Sequence, residues 1–457
     1  MDPLNELDFG HLRELGDRFG LPLHIIFLSR FERNARSFAD VAQRLYPRVM
    51  VAFAVKSNPC RGAVRAAARC GLGIDAVSEF ELRAALEEGV SPQRIVCNGN
   101  AKSDDYLRAI VRSGALAAVD DRTEFEMLDA LSGERREPLP VMVRFSGMPL
   151  GGLTAADQST ASEWTKFGFD YEHADEVFAF ASGFTRLKIA GVSAHIGTQI
   201  CDPSGYDELA DRIISLAGRA AERGIKPEYL DLGGGFPVSY MTREDWDRFR
   251  SRLVSQLAGE LGENEWVTWD DIPMGYAYVK GRPPRPDDPW RGKAYWSAFP
   301  GAAMLERLLT GKDPTGVEVR RRLSDIGNPT LIVEPGRSIV GTAGITICAV
   351  AGVKTVRGSP VVALELGINN HGTNLITPDI FPVEVLPHRA DDESVEAFLG
   401  GRLCFTGDMI SKVKVKLNRL PRRGDLVVIH HTLSLIHISE PTRPLYISYA
   451  VLCLKKK

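Results

Sequence analysis

The chain has 457 residues, of which 44% are hydrophobic and 25% charged, and this composition excludes a disordered or fibrous protein and predicts two to three structural units. Its formal net charge is −3 without a basic excess, so we expect neither nucleic acid nor an anionic membrane as a partner. Seven scattered cysteines without a Cys-x-x-Cys pair, and the lack of an export signal or a long apolar run, predict a cytoplasmic protein with reduced thiols, no membrane anchor and no metal site.

An N-terminal segment, residues 1–44, precedes the first region of regular alternation. Residues 21–29 within it are extended and apolar. We expect them to supply a strand to a β-rich domain that the chain completes later.

Residues 45–340 alternate short apolar strands with amphipathic helices. Each predicted strand ends in Gly, Asp, Asn or His, and a helix-like stretch follows. The eight strands are predicted at 51–56, 73–78, 95–99, 117–120, 141–145, 189–195, 229–235 and 330–335. Strands that are apolar throughout need cover on both faces, and eight of them predict an α/β fold of the TIM type, a closed (β/α)8 barrel.

Two further regions interrupt or follow the barrel pattern. Residues 264–327 are rich in Trp and Pro and are predicted to be an insertion on the barrel. Residues 341–432 carry closely spaced apolar runs without long helices between them, which predicts a C-terminal β-rich domain.

The last segment, residues 433–457, resembles translated sequencing adapter. Residues 433–443 resemble a transposase adapter read in frame, 444–446 fit a variable index, and 447–457 resemble a flow-cell adapter running into poly-A, with Leu452 the one departure. The alternative is a genuine terminal strand with a basic tail. We predict that native sequence stops near Thr432.

The candidate catalytic groups lie at strand ends, where a barrel places its active site. Lys56 closes the first strand, and we expect desolvation and cationic neighbours to lower its pKa enough for Schiff-base formation. Gly233, Gly234 and Gly235 follow the seventh strand and let the backbone approach a phosphate closely. A solvated lysine and a tight turn are the structural alternatives.

Two more strand ends carry groups that suit a ring cofactor. Glu334 and Arg337 follow the eighth strand, and a carboxylate there could keep a pyridine nitrogen protonated. His195 follows the sixth strand and could stack on the ring. Alternatively, Glu334 and Arg337 pair with each other and His195 is a core residue.

Together these residues resemble the pyridoxal-phosphate decarboxylases of group IV, which act on diaminopimelate, ornithine or arginine and have the alanine-racemase type of barrel. The run Phe-Ala-Val-Lys-Ser-Asn at 53–58 is similar to the family's Tyr-Ala-Val-Lys-Ala-Asn. The segments 73–78, 98–103 and 166–168 also have family counterparts. The resemblance implies pyridoxal phosphate as cofactor, an amino acid as substrate and a decarboxylase as the enzyme class.

The resemblance also assigns roles to individual residues. It implies that Lys56 carries the cofactor, that Asp75 lies near this lysine, and that His195 stacks on the ring. Residues that it places around the phosphate, the ring nitrogen or the substrate carboxylate are Gly233, Gly234, Gly235, Glu334, Gly336 and Arg337.

A second segment, 404–408, resembles the family's Cys-Glu-Ser-Gly-Asp, which reaches the active site of a neighbouring subunit. The resemblance implies that Cys404 is the catalytic proton donor, that Asp408 belongs to the substrate site, and that the enzyme is a homodimer with shared active sites. A buried structural thiol is the alternative for Cys404.

Three positions that would contact the distal end of the substrate depart from the family pattern. Phe405 replaces an acidic residue, Thr377 replaces an arginine and Phe381 replaces a tyrosine. We expect the substrate's distal group to be less polar than that of diaminopimelate, or to be bound by the Trp-rich insertion. The family's Gly-Ala-Tyr element after 426–430 is also missing, which predicts weak or no activity for this polypeptide.

Two rival functions remain open from the sequence. An alanine-racemase-like racemase would share the barrel and the lysine, but residues 57–60 argue against it. A non-catalytic cofactor-binding homologue would keep the fold and lose cofactor ligands.

Overall fold

The computed structural model describes residues 9–148, 150, 164–276, 282–288, 290, 292–370, 380–390, 392–434 and the backbone of 450–454. The chain forms two compact units. The first contains Met1–Phe31, Val238–Ser297 and Val340–Lys457, and the second contains Glu32–Pro237 and Ala298–Ile339.

The chain begins in the first unit with α1 (Phe9–Phe19) and β1 (Leu23–Phe27). The barrel of the second unit follows. Its strands are β2 (Val49–Ala54), β3 (Gly73–Ala76), β4 (Ile95–Cys97), β5 (Leu116–Val119), β6 (Leu139–Ser146), β7 (Phe169–Asp170), β8 (Leu187–Ser193), β9 (Tyr229–Asp231) and β10 (Thr330–Val333). All pair in parallel, and the order β2-β3-β4-β5-β6-β8-β9-β10 closes on itself, with the short β7 beside β6. The predicted (β/α)8 barrel is confirmed.

Helices separate the barrel strands. They are α2 (Leu28–Leu45), α3 (Arg61–Arg69), α4 (Glu79–Glu87), α5 (Asp104–Ser113), α6 (Arg122–Leu131), α7 (Ala174–Ala181), α8 (Ser204–Glu222), α10 (Ala302–Thr310), α11 (Val319–Asp325) and α12 (Arg337–Val340), whereas α9 (Arg243–Leu257) lies in the first unit. Ser78, Ser103 and Asp121 cap α4, α5 and α6, because the side chain of each accepts a hydrogen bond from the backbone amide three residues on. These caps start each helix a few residues after a strand, so the polar groups between them are held at the barrel mouth.

The barrel interior is filled by apolar side chains from six of its strands. Met50, Ala52, Val96, Leu116, Ala118, Met142, Ala190 and Ile332 form one buried cluster. Burying each large apolar side chain contributes about 1.5–3 kcal/mol, so this packed layer makes the barrel a rigid support for its loops.

The remaining strands form a mostly antiparallel sheet in the first unit. They are β11 (Gly344–Val356), β12 (Ser359–Leu364), β13 (Val383–Leu386), β14 (Val395–Gly400), β15 (Met409–Leu417), β16 (Leu426–His430) and β17 (Ala450–Leu454). The sheet order is β13-β16-β11-β12-β14-β15, and β1 pairs with β11 in the register Leu23 opposite Ile347. The predicted β-rich domain is confirmed, and β1, which lies within residues 21–29, pairs with its strand β11.

The Trp- and Pro-rich region differs from the predicted insertion on the barrel. Residues 264–297 belong to the first unit, while 298–327, with α10 and α11, belong to the barrel unit. The reason is aromatic packing, because Trp290 contacts Trp246 and Tyr276 edge to face with ring centroids 5.0 and 5.1 Å apart. Sequence composition alone does not show which surface such rings cover.

The predicted boundaries at 44, 340 and 432 stay predictions. Within the suspected adapter tail, the backbone of β17 pairs in parallel with β1. In the described part of the chain, no helix combines the length and the apolar character needed to cross a membrane.

Candidate active site

Lys56 lies directly after β2, in a single 3₁₀ turn formed by Val55–Ser57. Its Nζ donates a hydrogen bond of 2.9 Å to Oδ2 of Asp75, which lies on β3 opposite Ala54 of β2. The Asp75 side chain is fully buried, whereas 36% of the Lys56 side chain is exposed. The ammonium is therefore anchored on one side and open on the other.

The electrostatics of Lys56 differ from the sequence-based expectation. Burial lowers the pKa of Lys56, but Asp75 and then Glu334 raise it by more, so the net pKa lies above the ordinary value for lysine. The cation Arg144 opposes them only weakly. The expected lowering of the lysine pKa by cationic neighbours is wrong for this form of the protein, because carboxylates dominate its surroundings.

Asn98, immediately after β4, joins two of these carboxyl groups. Its Nδ2 donates to Asp75 Oδ1 at 2.9 Å and to Glu334 Oε1 at 2.6 Å. The sequence analysis assigned no role to Asn98. The signal that identifies it is its position, since it is a buried polar residue at the end of a barrel strand.

Glu334 and Asp231 form a second acidic pair. Both side chains are buried, Asp231 at the end of β9 and Glu334 directly after β10. Asp231 Oδ1 accepts a hydrogen bond from the Gly233 amide at 2.8 Å. Burial, followed by repulsion from Asp231 and Asp75, raises the pKa of Glu334 well above its usual range, and burial likewise raises the pKa of Asp231.

His195 is held in one tautomer by the glycine loop. Its Nδ1 accepts a hydrogen bond from the Gly234 amide at 2.9 Å. Burial first, and then the charges of Lys56 and Arg144, lower the pKa of His195 well below the usual value. The ring is therefore neutral with its proton on Nε2.

Glycine is required at positions 233 and 234 because neighbouring atoms leave no room for a Cβ. A Cβ at Gly233 would lie 2.3 Å from His195 Nδ1, and one at Gly234 would lie 2.4 Å from the Glu334 carbonyl oxygen. The Gly233 and Gly234 amides already donate to Asp231 and His195. A phosphate contact from this loop would therefore have to come from Gly235.

Gly336 and Arg337 lie close to the lysine turn. A Cβ at Gly336 would be 2.9 Å from Ser57 Cβ, so only glycine allows this contact. Arg337 begins α12 and is largely buried. Both predicted residues lie at the same end of the barrel as Lys56, because β10 and β2 are parallel neighbours and these residues follow their carboxyl ends.

Arg144, on β6, is a further charged residue at the barrel mouth, and the sequence pattern did not predict a role for it. Its guanidinium pairs with Asp120 Oδ1 at 3.4 Å and lies 4.5 Å from the ring centre of Phe167. Asp120 Oδ2 also accepts the Gly168 amide at 3.0 Å. These contacts hold residues 166–168 against the barrel. The sequence showed only that this segment has a family counterpart.

The predicted residues of the first unit have different surroundings. Cys404 and Phe405 are exposed, and Phe405 retains 59% of its accessible surface. Asp408 is buried, and its two carboxylate oxygens accept the Ile368 and Leu403 amides, each at 2.6 Å. Asp408 therefore shapes the 401–408 loop, and substrate contact by this residue stays a prediction.

The two remaining distal positions are Phe381 and Thr377. Phe381 packs edge to face on Tyr240, with ring centroids 5.7 Å apart. Thr377 lies outside the described residues.

The donor set at the barrel mouth fits pyridoxal phosphate. Lys56 offers a primary amine, Glu334 a buried carboxyl group that can carry a proton, and His195 a neutral flat ring. The glycine loop allows the backbone to approach closely. Lys56, Glu334 and His195 are each held by a hydrogen bond to another residue of the protein.

Comparison with known proteins supports the same assignment. A family model described as pyridoxal-dependent decarboxylase, pyridoxal binding domain, matches residues 28–263. The diaminopimelate decarboxylase of Methanothermobacter thermautotrophicus is 33% identical over 444 residues, which cover 92% of this chain and 85% of that protein. The diaminopimelate decarboxylase of Aquifex aeolicus is 27% identical over 408 residues, which cover 88% of this chain and 79% of that protein.

Solved structures share the architecture. A diaminopimelate decarboxylase from M. jannaschii in complex with L-lysine superposes with a TM-score of 0.70 at 22% identity, covering 96% of this chain and 89% of that one. The corresponding enzyme from Helicobacter pylori, also with L-lysine, gives a TM-score of 0.71 at 19% identity, covering 98% and 94%. The predictions of fold, cofactor and decarboxylase class are confirmed, and the relatives favour decarboxylation over racemisation or a non-catalytic role. The chain belongs to the pyridoxal-dependent decarboxylase family.

Proposed function

We propose that this decarboxylase acts on an amino acid whose distal end differs from that of diaminopimelate, with Lys56 holding the cofactor covalently. The observation that carries the proposal is the continuous set of contacts from Lys56 through Asp75 and Asn98 to Glu334. Pyridoxal phosphate, when bound, supplies an electron sink for the electron pair left at Cα as carbon dioxide departs.

The protein residues divide the remaining tasks. Asp75 orients the Lys56 amine, and Glu334 presents its carboxyl group to the ring nitrogen. His195 provides a flat neutral surface whose orientation is fixed by the Gly234 amide. Gly235, Gly336 and Arg337 are the proposed contacts for the phosphate and for the substrate carboxylate.

Cys404 is the proposed donor of the proton that Cα receives. Its exposure in the single chain favours a role across a subunit interface, since an exposed thiol is open to a second copy. We therefore propose a homodimer in which each 401–408 loop completes the partner's active site. A cytoplasmic location is proposed on the composition and on the free cysteines among the described residues.

The altered distal positions support a less polar substrate. A phenylalanine at position 405 cannot pair with an ammonium group, and a buried unpaired charge costs several kcal/mol. Phe381 packs against the aromatic ring of Tyr240 and carries no polar atom in its side chain. An amino acid with a distal ammonium would therefore bind poorly.

The first experiment tests attachment of the cofactor. The purified protein is mixed with pyridoxal phosphate, and we expect the visible absorbance band of lysine-bound pyridoxal. Lys56→Ala should lose the band, whereas Lys188→Ala, which removes an exposed lysine paired with Glu228, should keep it. A band that persists in the Lys56 variant would refute the assignment.

The second experiment identifies the substrate class. Carbon dioxide release is measured over a panel of amino acids with apolar, cationic and anionic distal groups. We expect meso-diaminopimelate to be a poor substrate compared with amino acids that lack a distal ammonium. Efficient decarboxylation of meso-diaminopimelate would refute the proposed change at the distal site.

A further inference from the structure

Acidic groups outnumber cationic groups at the barrel mouth. Asp75, Asp231 and Glu334 come from three different strands and are all buried, and Asp120 is a fourth acid nearby. The cations that face them are Lys56, which pairs with Asp75, and Arg144, which pairs with Asp120. Lys102 also acts on Asp120, but its own partner is a further buried acid, Glu124. His195 is neutral and Asn98 is uncharged. An uncompensated buried carboxylate is costly, so at least one of these acids retains a proton at neutral pH.

The hydrogen bonds indicate which acid carries that proton. Asp75 accepts from both the Lys56 ammonium and the Asn98 amide, so it is held as a carboxylate. Asp231 accepts the Gly233 amide with Oδ1. Asp231 and Glu334 lie at the ends of the neighbouring strands β9 and β10, and both side chains are buried, so the two carboxylates would repel each other. A single proton shared between them removes this repulsion.

Within this pair, Glu334 is the donor. Glu334 lies next to two other acids, Asp231 and Asp75, and accepts one neutral amide, that of Asn98. Burial raises the pKa of Asp231 as well, to about 7, but the Gly233 amide, which donates to its Oδ1 at 2.8 Å, favours its anionic form. The backbone locks this arrangement, because the Glu334 amide donates to the Gly233 carbonyl oxygen at 2.8 Å.

We propose that Asp231 is a positioning residue that keeps a proton on Glu334 by accepting its hydrogen bond. The proton that the ring nitrogen of the cofactor needs is then already stored in the protein before the cofactor binds. Asp231 acts through Glu334 and does not contact the reacting atoms. The proton on Glu334 is a property of the protein itself. Only the second step, in which this proton serves the ring nitrogen of the cofactor, rests on the proposed function.

The variant Asp231→Asn tests the proton directly. Because Oδ1 of residue 231 accepts the Gly233 amide, an asparagine there would keep its oxygen in that position and turn its Nδ2 donor toward Glu334. A donor in place of an acceptor favours ionised Glu334. We expect the pH at which Glu334 loses its proton to fall by about two units, in line with the removal of a neighbouring like charge.

The measurement is infrared absorption of protonated carboxyl groups in the cofactor-free protein. Glu334→Gln should remove one such band, and Asp231→Asn should shift its loss to lower pH. Glu81→Gln is the matched control, since Glu81 is a second buried glutamate whose pKa is raised, by burial first, to about 7, and it binds the Val77 amide. A band that titrates identically in wild type and Asp231→Asn would overturn the proposal.

Infrared absorption of isotope-labelled wild-type protein tests the same assignment and does not depend on whether a variant folds. Wild-type protein is labelled with ¹³C at the carboxyl groups of glutamate or of aspartate. The band of the shared proton should shift with the glutamate label. A shift with the aspartate label instead would place the proton on Asp231 and contradict the assignment.

Calorimetry in buffers of different ionisation enthalpy tests the second step. We expect Asp231→Asn to take up about one more proton from solvent than wild type on binding pyridoxal phosphate, because its Glu334 no longer supplies one. Equal proton uptake would overturn the inference that the stored proton serves the cofactor. Failure of wild type to bind the cofactor would refute the proposed function, whereas the infrared result would stand separately.

Discussion

Two lysines at the barrel mouth show how similar sequence positions acquire different roles. Lys56 follows β2 and Lys102 follows β4, and each pairs with a buried carboxylate, at 2.9 Å for Lys56 and 2.7 Å for Lys102. The Lys102 side chain is fully buried, and its Nζ also donates to the Gly99 and Ala118 carbonyl oxygens at 2.8 Å. All three of its donors are used by the protein.

Lys56, by contrast, has one hydrogen bond to a described residue and is partly open to solvent. A saturated ammonium stabilises the fold but cannot react, whereas an ammonium with a single anchor can be deprotonated and attack a carbonyl group. The number of donors that the protein satisfies, rather than the presence of a carboxylate partner, distinguishes a reactive lysine from a structural one.

The largest expected effect concerns cofactor attachment and activity. Lys56→Ala should abolish both, since no other side chain supplies the amine at this position. Lys102→Met, measured at a temperature where it is folded, should retain the absorbance of lysine-bound pyridoxal. Loss of that absorbance in the folded Lys102 variant would break the distinction between the two lysines.

The next effect concerns stability. Lys102→Met would leave Glu124 buried without its cation, and breaking a buried pair in this way costs about 3–5 kcal/mol. Lys56→Met should cost less, about 1–2 kcal/mol, because Lys56 is partly exposed and the buried Asp75 carboxylate keeps the hydrogen bond from Asn98. Urea unfolding would measure both, and the double variant Lys102→Met with Glu124→Leu should regain part of the loss. Equal costs for the two lysines would contradict this ranking.

Glu81 extends the comparison to a buried acid that accepts a hydrogen bond from the backbone amide of Val77 at 2.6 Å. Burial raises its pKa from 4.5 to about 7, so the folded protein holds this proton to higher pH than the unfolded chain. The stability that this proton provides is therefore complete below about pH 4.5 and is lost as the pH rises through 7. We expect Glu81→Gln to exceed wild type by about 2–3 kcal/mol at pH 8 and to match it at pH 4. Urea unfolding at both pH values tests this, and an unchanged pH dependence would refute it.

The smallest expected effect lies on the exposed loop. Phe405→Glu restores an acidic group at the proposed distal site, and a partly exposed ion pair contributes about 1 kcal/mol. We expect kcat/KM for meso-diaminopimelate to rise roughly fivefold. Leu420→Glu is the control, because Leu420 is also an exposed hydrophobic residue of the first unit. An equal gain in both variants would indicate a general charge effect.

Much of the barrel could be predicted because its signal is local. Eight apolar strands with polar ends place Lys56, Glu334 and His195 at one mouth without knowledge of any long-range contact. The direction of the Lys56 pKa shift could not be predicted in this way. It depends on Asp75 and Glu334, which the chain brings to the lysine from positions 19 and 278 residues away.

Other features depended on packing that a linear pattern does not contain. Asn98 begins a segment that matches the family, but the match does not show that its side chain joins Asp75 to Glu334. Asp231 precedes the glycine loop, and the sequence does not show that its carboxylate accepts the Gly233 amide. Asp408 matched a family motif, yet its carboxylate is used by two backbone amides. The Trp-rich segment shows the same limit, because composition predicted an insertion but not the unit that it joins.

The pairing of β1 with β11 has a consequence for synthesis of the protein on the ribosome. His24 bonds to Thr346 at 2.8 Å, and 322 residues separate the two. At translation rates of roughly 5–20 residues per second, β1 waits tens of seconds after its own synthesis before its partner emerges. During that interval a strand that is entirely buried in the finished protein is exposed to the cell. The nascent chain thus presents an early binding site for chaperones.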